Sequence, residues 1–223
     1  MKLILFDIDG TLLTTDGVGR AALRAAGADV FAIDEDLEGV VVSGNTDVAI
    51  VHEILNKHGI PGSEINVNRY LGAYLAHLRQ RLAQQPGHIL PGVVNLLDAC
   101  MQDSCVAGLL TGNLRRGAQM KLGAHRLWER FRVGAFADDN RDRNMLGPIA
   151  KKRAEVQFQA TFDELFVIGD TPRDIACGEA ADATVIGVAT GRYSRENLAA
   201  HHPDYLFDDL GGTTQVLAAL GLD

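Results

Sequence analysis

Short apolar runs that end in polar or glycine-containing turns recur at wide intervals along the chain, and segments of helical periodicity lie between the later runs. This alternation predicts an α/β fold with a Rossmann-like parallel sheet wrapped by helices. In such folds ligands bind at the carboxyl ends of the strands. The apolar runs span residues 3–6, 106–110, 133–136, 165–168 and 184–188, and the ends of the first four carry Asp7, Thr111, Asp138 and Asp170.

A long segment separates the first two predicted strands. It holds roughly 95 residues, whereas a crossover connection between parallel strands needs about a dozen. Apolar residues recur in it at intervals of three and four, notably over residues 47–58 and 68–84, which predicts a small bundle of helices. We therefore expect a catalytic core made of residues 1–13 and 91–223, and an inserted helical cap made of residues 14–90.

The bulk composition excludes some classes of partner. The chain has 223 residues, with 21 Lys and Arg against 29 Asp and Glu, for a net charge of −8. This charge, which is spread without long runs of one sign, disfavours a nucleic-acid or acidic-membrane partner. The three cysteines show no metal-binding spacing and are expected to stay reduced. No leader-like segment or long apolar stretch stands out, so we expect a cytoplasmic protein, either a monomer or a homodimer.

Two carboxylates follow the first apolar run. Asp7 and Asp9 are two residues apart, and alternate side chains of an extended backbone share a face, so both could point into one site. Carboxylates that close repel each other unless a cation or a shared proton relieves them. The pair therefore predicts a divalent metal, a raised pKa on one partner, or both.

Four separated segments carry candidate chemistry in a fixed order. They are 7–11 (Asp-Ile-Asp-Gly-Thr), 110–113 (Leu-Thr-Gly-Asn), the cationic stretch 141–153, and 168–174 (Ile-Gly-Asp-Thr-Pro-Arg-Asp). Together they resemble the four motifs of the haloacid dehalogenase superfamily of phosphohydrolases, and in particular its phosphoglycolate-phosphatase-like members with a helical cap. The resemblance spans the core from Met1 to about Gly191.

The resemblance implies roles for the first two segments. Asp7 would be the nucleophile that forms an aspartyl-phosphate, because a carboxylate is ionised at neutral pH and needs positioning rather than a base. Asp9 would protonate the leaving oxygen and then deprotonate the hydrolytic water, and its backbone carbonyl would ligate the metal. The segment Thr111-Gly112-Asn113 would bind the substrate phosphoryl group through the Thr111 hydroxyl and the Gly112 amide.

The third segment must supply a cation that holds the phosphate against the nucleophile. The Lys-Pro pair that is common in the family is absent, and the candidates are Arg143, Lys151 and Lys152. The usual family spacing to the fourth segment favours Arg143, 27 residues before Asp170, over Lys151, 19 residues before it. Arg143 also precedes the helix-like stretch 146–156. Lys151 remains the alternative.

The fourth segment carries the remaining acidic residues. By resemblance Asp170 would bind Mg²⁺ directly, and Asp174 would be either a further ligand or a residue that holds a ligand in place. Thr171-Pro172 is typical of a helix N-cap followed by proline in the first turn. Mg²⁺ suits oxygen ligands of this kind, so the expected metal site combines Asp7, Asp9, Asp170 and Asp174.

The predicted cap contains one further element. Residues 42–47 are similar to a Gly-x-Thr-Asp element in the caps of phosphoglycolate-phosphatase-like proteins, with Asn45 where the family often has Arg. Thr46 could contact the substrate, or it could be the N-cap of the helix over residues 47–58.

The expected function is Mg²⁺-dependent hydrolysis of a small phosphorylated metabolite, with phosphoglycolate as the leading substrate by resemblance. A haloacid dehalogenase would not need the second aspartate, Asp9. Two alternatives stay open: a phosphosugar mutase of the same superfamily, which uses the same two aspartates, and a non-catalytic phosphoacceptor or binding module.

Overall fold

The computed structural model describes residues 1–34, 36–102 and 105–222. The strands are β1 (Lys2–Phe6), β2 (Leu13–Thr14), β3 (His88–Ile89), β4 (Cys105–Leu110), β5 (Val133–Ala135), β6 (Glu164–Gly169), β7 (Thr184–Val188) and β8 (Tyr205–Phe207). The α-helices are α1 (Val18–Phe31), α2 (Asp47–Lys57), α3 (Glu64–Leu82), α4 (Val93–Gln102), α5 (Arg115–Gly123), α6 (Leu146–Phe158), α7 (Pro172–Glu179), α8 (Arg195–Ala199) and α9 (Thr213–Leu220).

Six strands form one sheet, in the order β5-β4-β1-β6-β7-β8, and every neighbouring pair is parallel. Both faces of β1 are buried: Ile4 and Phe6 pack into one apolar cluster, and Leu3 and Leu5 pack into another on the opposite side. A strand covered on both faces needs an unbroken apolar run, which is why the pattern predicts it so clearly. The predicted α/β fold is confirmed, although β8 was not among the expected strands.

The position of β1 decides where the chemistry collects. It lies between β4 and β6, and Phe6 is in register with Leu109 on one side and Ile168 on the other. The residues that follow these strands therefore emerge side by side at the carboxyl edge of the sheet.

Helices α1, α2 and α3 lie between β2 and β3 and share an apolar cluster that includes Leu23, Ile54 and Tyr70. The helix predicted over 68–84 begins earlier, because Ser63 caps α3 by accepting a hydrogen bond from the Asn66 amide. The short strands β2 and β3 pair antiparallel at the base of this segment. The exact division into a core and a cap of residues 14–90 stays a prediction. Within the described part of the chain, no helix is both long and apolar enough to cross a bilayer.

Candidate active site

The loop after β1 brings the first acidic segment to the sheet edge. The Asp7 amide donates to the Ile168 carbonyl of β6 at 2.9 Å, so Asp7 continues the line of the strand before the chain turns. Gly10 has φ +85°, and a Cβ on it would lie 2.4 Å from Asp170 Oδ2. Only glycine fits this conformation and this approach. Thr11 then donates through Oγ1 to Asp170 Oδ1 at 3.1 Å, which ties the first segment to the fourth.

The fourth segment is built by the start of α7. Thr171 and Asp174 form a capping box, in which the Asp174 carboxylate accepts from the Thr171 amide at 2.9 Å and from its hydroxyl at 2.7 Å. The helix start thus fixes the side chain of Asp174. Carboxylate oxygens of Asp7, Asp170 and Asp174 all lie within 4.8 Å of one another, and all three residues are buried.

Arg143 is the cation that the fold places beside this cluster. Its Nη2 lies 3.2 Å from Asp7 Oδ1 and bonds the Asp174 carboxylate, and its Nη1 donates to the Gly44 carbonyl at 2.9 Å. Its buried Nε has no hydrogen-bond partner within the described residues. The alternatives, Lys151 and Lys152, lie on α6 and do not line the cavity that contains Asp7.

Burial and repulsion dominate the electrostatics of the cluster. Burial raises the pKa of Asp7 to about 7, opposed by Arg143 and reinforced by Asp174 and Asp9. Burial, together with Asp174 and Asp7, raises the pKa of Asp170 well above its ordinary value. Burial disfavours the charge on Arg143, but Asp174 and Asp7 outweigh it and raise its pKa. The single guanidinium does not balance the charge of the three carboxylates when all are ionised. Their oxygens form a donor set that suits a hard cation.

The second segment lies beside the first. The Thr111 amide donates to the Ala135 carbonyl at 3.2 Å, and its hydroxyl accepts from Asn113 Nδ2 at 2.9 Å. A Cβ on Gly112 would lie 2.1 Å from the Asn45 carbonyl oxygen. Gly112 is therefore required for the close approach of the segment that leads into α2.

The N-terminus of α2 binds this loop. The Asp47 amide donates to the Gly112 carbonyl at 2.7 Å, and Asp47 Oδ2 accepts from the Leu114 amide at 2.8 Å. Thr46 is fully buried and is not among the residues that line the cavity. Its hydroxyl accepts from the Ala49 amide as the N-cap and donates to the Arg141 carbonyl at 2.7 Å. Thr46 therefore caps the helix and joins it to the loop before Arg143.

Sequence reasoning missed one residue of the site. Lys121 of α5 is buried, and its Nζ lies 2.6 Å from Asp9 Oδ2 and 2.7 Å from Asn113 Oδ1. The sequence does carry one sign of this residue. Lys121 shares the buried face of α5 with Ala118 and Leu122, and the helical period predicts an apolar residue at that position.

All of these elements enclose one cavity of about 400 Å³. Its walls come from the four segments of the core and from α1, α2 and α3. Two of the side chains that the sequence predicted as a site, Thr46 and Asp174, do not line this cavity. The others line it together: Asp7, Asp9, Thr111, Asn113, Arg143 and Asp170.

Acidic residues and a buried arginine at the carboxyl edge of a parallel sheet are typical of an α/β enzyme. The family model of haloacid dehalogenase-like hydrolases matches residues 4–179, and a second, hydrolase-like model matches 146–213. The chain belongs to the haloacid dehalogenase-like hydrolases.

Individual relatives agree with this assignment. The chain is 26% identical to phosphoglycolate phosphatase of Vibrio cholerae over 97% of both chains. It is also 26% identical to the probable phosphatase IndB of Dickeya dadantii, over 92% of this chain and 89% of that one. A hydrolase structure from Pseudomonas syringae superposes with a TM-score of 0.76 at 21% identity, over 98% of both chains. CbbY of Rhodobacter sphaeroides in complex with phosphate gives 0.77 at 18% identity, over 94% of both chains. Within its family the chain is a phosphatase.

Proposed function

We propose that this phosphatase hydrolyses the phosphomonoester of a small metabolite in a Mg²⁺-dependent reaction, through an aspartyl-phosphate on Asp7. The observation that carries the proposal is the convergence of Asp7, Asp9, Thr111 and Arg143 on one cavity, with Asp170 beside them. Each residue type in this set has a separate task in phosphoryl transfer.

The first half-reaction transfers the phosphoryl group to the protein. Asp7 attacks phosphorus with a carboxylate oxygen while the ester bond to the leaving oxygen breaks. Asp9, protonated at the start, gives its proton to that oxygen, so the alcohol departs neutral and Asp9 becomes a carboxylate. Arg143 already contacts Asp7. Its Nε, which has no hydrogen-bond partner in the described part of the chain, is a donor for a phosphoryl oxygen. Thr111, which lines the same cavity, supplies a hydroxyl.

The second half-reaction restores the enzyme. The Asp9 carboxylate takes a proton from water, and the resulting hydroxide attacks phosphorus and breaks the bond to Asp7. Inorganic phosphate leaves, Asp7 is again a carboxylate, and Asp9 is again protonated. Asp9 can serve both steps because its side chain is 39% exposed and lines the cavity, whereas that of Asp7 is 6% exposed.

The donor set fits Mg²⁺. Asp7, Asp170 and Asp174 offer closely spaced, buried carboxylate oxygens, and the family resemblance adds the Asp9 carbonyl. Arg143 bonds Asp174, so Asp174 acts either as a ligand or as the residue that orients Arg143. When bound, Mg²⁺ would neutralise the excess charge of this cluster and of the transferring phosphoryl group. Burial and the neighbouring carboxylates raise the pKa values of Asp7 and Asp170, so negative charge is unfavourable here and a bound cation would relieve it.

The cavity limits the substrate to a small molecule. Its volume of about 400 Å³ is at the lower end of the range typical of small-molecule sites. Phosphoglycolate is our leading candidate because several curated relatives are phosphoglycolate phosphatases, at 22–27% identity.

The test is phosphate release from a panel of small phosphate esters that includes phosphoglycolate and several sugar phosphates. Wild type, Asp7→Asn and Asp34→Asn are assayed with Mg²⁺ and with EDTA. Asp34 is exposed and away from the cavity, so Asp34→Asn controls for the loss of one acidic side chain. We expect Mg²⁺-dependent release by wild type and by Asp34→Asn, and none by Asp7→Asn.

Three results would contradict the proposal. Activity that survives Asp7→Asn would remove the nucleophile assignment. Interconversion of sugar phosphate isomers without release of phosphate would favour a mutase. A phospho-Asp7 that persists for hours, detected by acid quench and mass spectrometry, would favour a phosphoacceptor module.

A further inference from the structure

A buried lysine contacts Asp9. The Lys121 side chain is 4% exposed, and a buried ammonium group is costly unless charged and polar partners compensate it. Two partners are present: Asp9 Oδ2 at 2.6 Å and Asn113 Oδ1 at 2.7 Å. These two contacts therefore fix the position of the Lys121 ammonium group.

The contacts on Asp9 are uneven. Lys121 Nζ and Asn113 Nδ2, the latter at 2.8 Å, both bond Oδ2. Both of these side-chain donors bind Oδ2, and within the described residues no side-chain hydrogen bond engages Oδ1 of Asp9. A carboxyl group anchored through one oxygen has a defined orientation and keeps the other oxygen for proton exchange.

Asn113 is itself fixed, because its Nδ2 also donates to Thr111 Oγ1 at 2.9 Å. Asp9, Asn113 and Lys121 thus form a closed triangle of hydrogen bonds that starts from the phosphoryl-binding segment. Lys121 is its only charged donor, and charge-assisted hydrogen bonds are about twice as strong as neutral ones. Removing Lys121 leaves Asp9 with Asn113 alone.

We propose that Lys121 is a positioning residue for proton transfer: it holds Asp9 by Oδ2 so that Oδ1 can protonate the leaving oxygen. This inference rests on the proposed function. It differs from a substrate-binding role, in which Lys121 would lower KM, and from a purely structural role, in which it would affect every substrate alike.

The test uses leaving groups that differ in their need for a proton. 4-Nitrophenyl phosphate releases a stable phenolate, whereas an alkyl phosphate must release an alcohol that needs the proton. kcat/KM is measured for both, because it reports the first phosphoryl transfer. Lys121→Met keeps the side-chain length without the charge, and Arg116→Met, on the exposed face of the same helix, is the matched control.

We expect Lys121→Met to lower kcat/KM for the alkyl phosphate about tenfold or more and for 4-nitrophenyl phosphate less than about threefold. The larger loss is part of the roughly 100-fold or more that a positioned general acid contributes. Arg116→Met should change neither, and Lys121→Arg should restore part of the loss. In an Asp9→Asn background Lys121→Met should have no further effect, since the two residues act as one unit. Circular dichroism and thermal melting check the fold, and Lys121→Gln takes the place of Lys121→Met if that variant is unfolded.

A loss of equal size for both substrates would overturn the positioning role, and so would multiplying effects in the double variant. If wild type hydrolyses the esters, these results leave the proposed function intact. If wild type releases phosphate from no ester, the proposed function fails and the role of Lys121 fails with it.

Discussion

Asp47 allows a quantitative test of the contact between α2 and the core loop. It is a buried carboxylate whose Oδ2 accepts from the Leu114 amide. Burial raises its pKa from 3.8 to about 6, although Lys121 and the Leu114 amide lower it. Asp47→Asn keeps an acceptor oxygen for that amide and removes the charge.

The sign follows from proton binding. Between the unfolded pKa of 3.8 and the folded pKa of about 6, the folded state binds more protons, so the free energy of unfolding falls as pH rises through this window. The difference between these two pKa values corresponds to about 3 kcal/mol of stability, which is fully lost above the folded pKa. Roughly half of that, about 1 to 2 kcal/mol, is lost between pH 5 and pH 8. Asp47→Asn should not show this loss.

The assay is urea denaturation of wild type, Asp47→Asn and Asp34→Asn at pH 5 and pH 8. The quantity of interest is the stability of Asp47→Asn relative to wild type, which should improve by about 1 to 2 kcal/mol from pH 5 to pH 8. Comparing the two pH values cancels any pH-independent effect of the amide, and exposed Asp34 should give no such change. A relative stability that is constant within about 0.5 kcal/mol would refute a buried, destabilising charge on Asp47.

Three further predictions concern the same framework. Gly112→Ala should cost about 1 to 3 kcal/mol of stability by urea denaturation and should reduce turnover, because its Cβ would lie 2.1 Å from the Asn45 carbonyl oxygen. Tyr70→Phe should lower the free energy of unfolding by about 1 kcal/mol, since the buried hydroxyl donates to the Leu23 carbonyl at 2.9 Å. Arg143→Lys should reduce kcat/KM by about a hundredfold in steady-state kinetics, because an ammonium cannot reproduce the contacts of the guanidinium.

The sheet and the acidic positions were predictable for one physical reason. Central parallel strands are buried on both faces, so they read as continuous apolar runs, and the residues just after them are brought to one edge by the topology. Asp7, Thr111 and Asp170 follow from that rule alone. Strand β8 was not predicted, because its residues are exposed or only partly buried and form a weak hydrophobic pattern.

The remaining parts of the site depend on distances that periodicity does not encode. Lys121 lies 112 residues from Asp9 in sequence, and nothing local relates the two. The attachment of α2 to the core uses the amide of Asp47 and the carbonyl of Gly112. All residues other than proline carry both main-chain groups, so this contact leaves no signal in the sequence. From the sequence, Thr46 is equally suited to capping α2 and to binding the substrate. Only its burial and its hydrogen bonds in the structure distinguish the two roles.

The pairing of β2 with β3 has a consequence for engineering. Leu13 is paired with Ile89, and Thr14 with His88, so the chain enters and leaves the inserted helical segment at adjacent points. The intervening helices could be exchanged for another insert, or for a tight hairpin, without stretching the junction. On the sheet side, the groups that receive α2 are the carbonyls of Gly112 and Arg141 and the amide of Leu114. Because these are main-chain atoms, a grafted module would need matching geometry at its own first turn, together with an acceptor for Arg143 in place of the Gly44 carbonyl. Chimeras that meet both conditions could explore new substrate ranges.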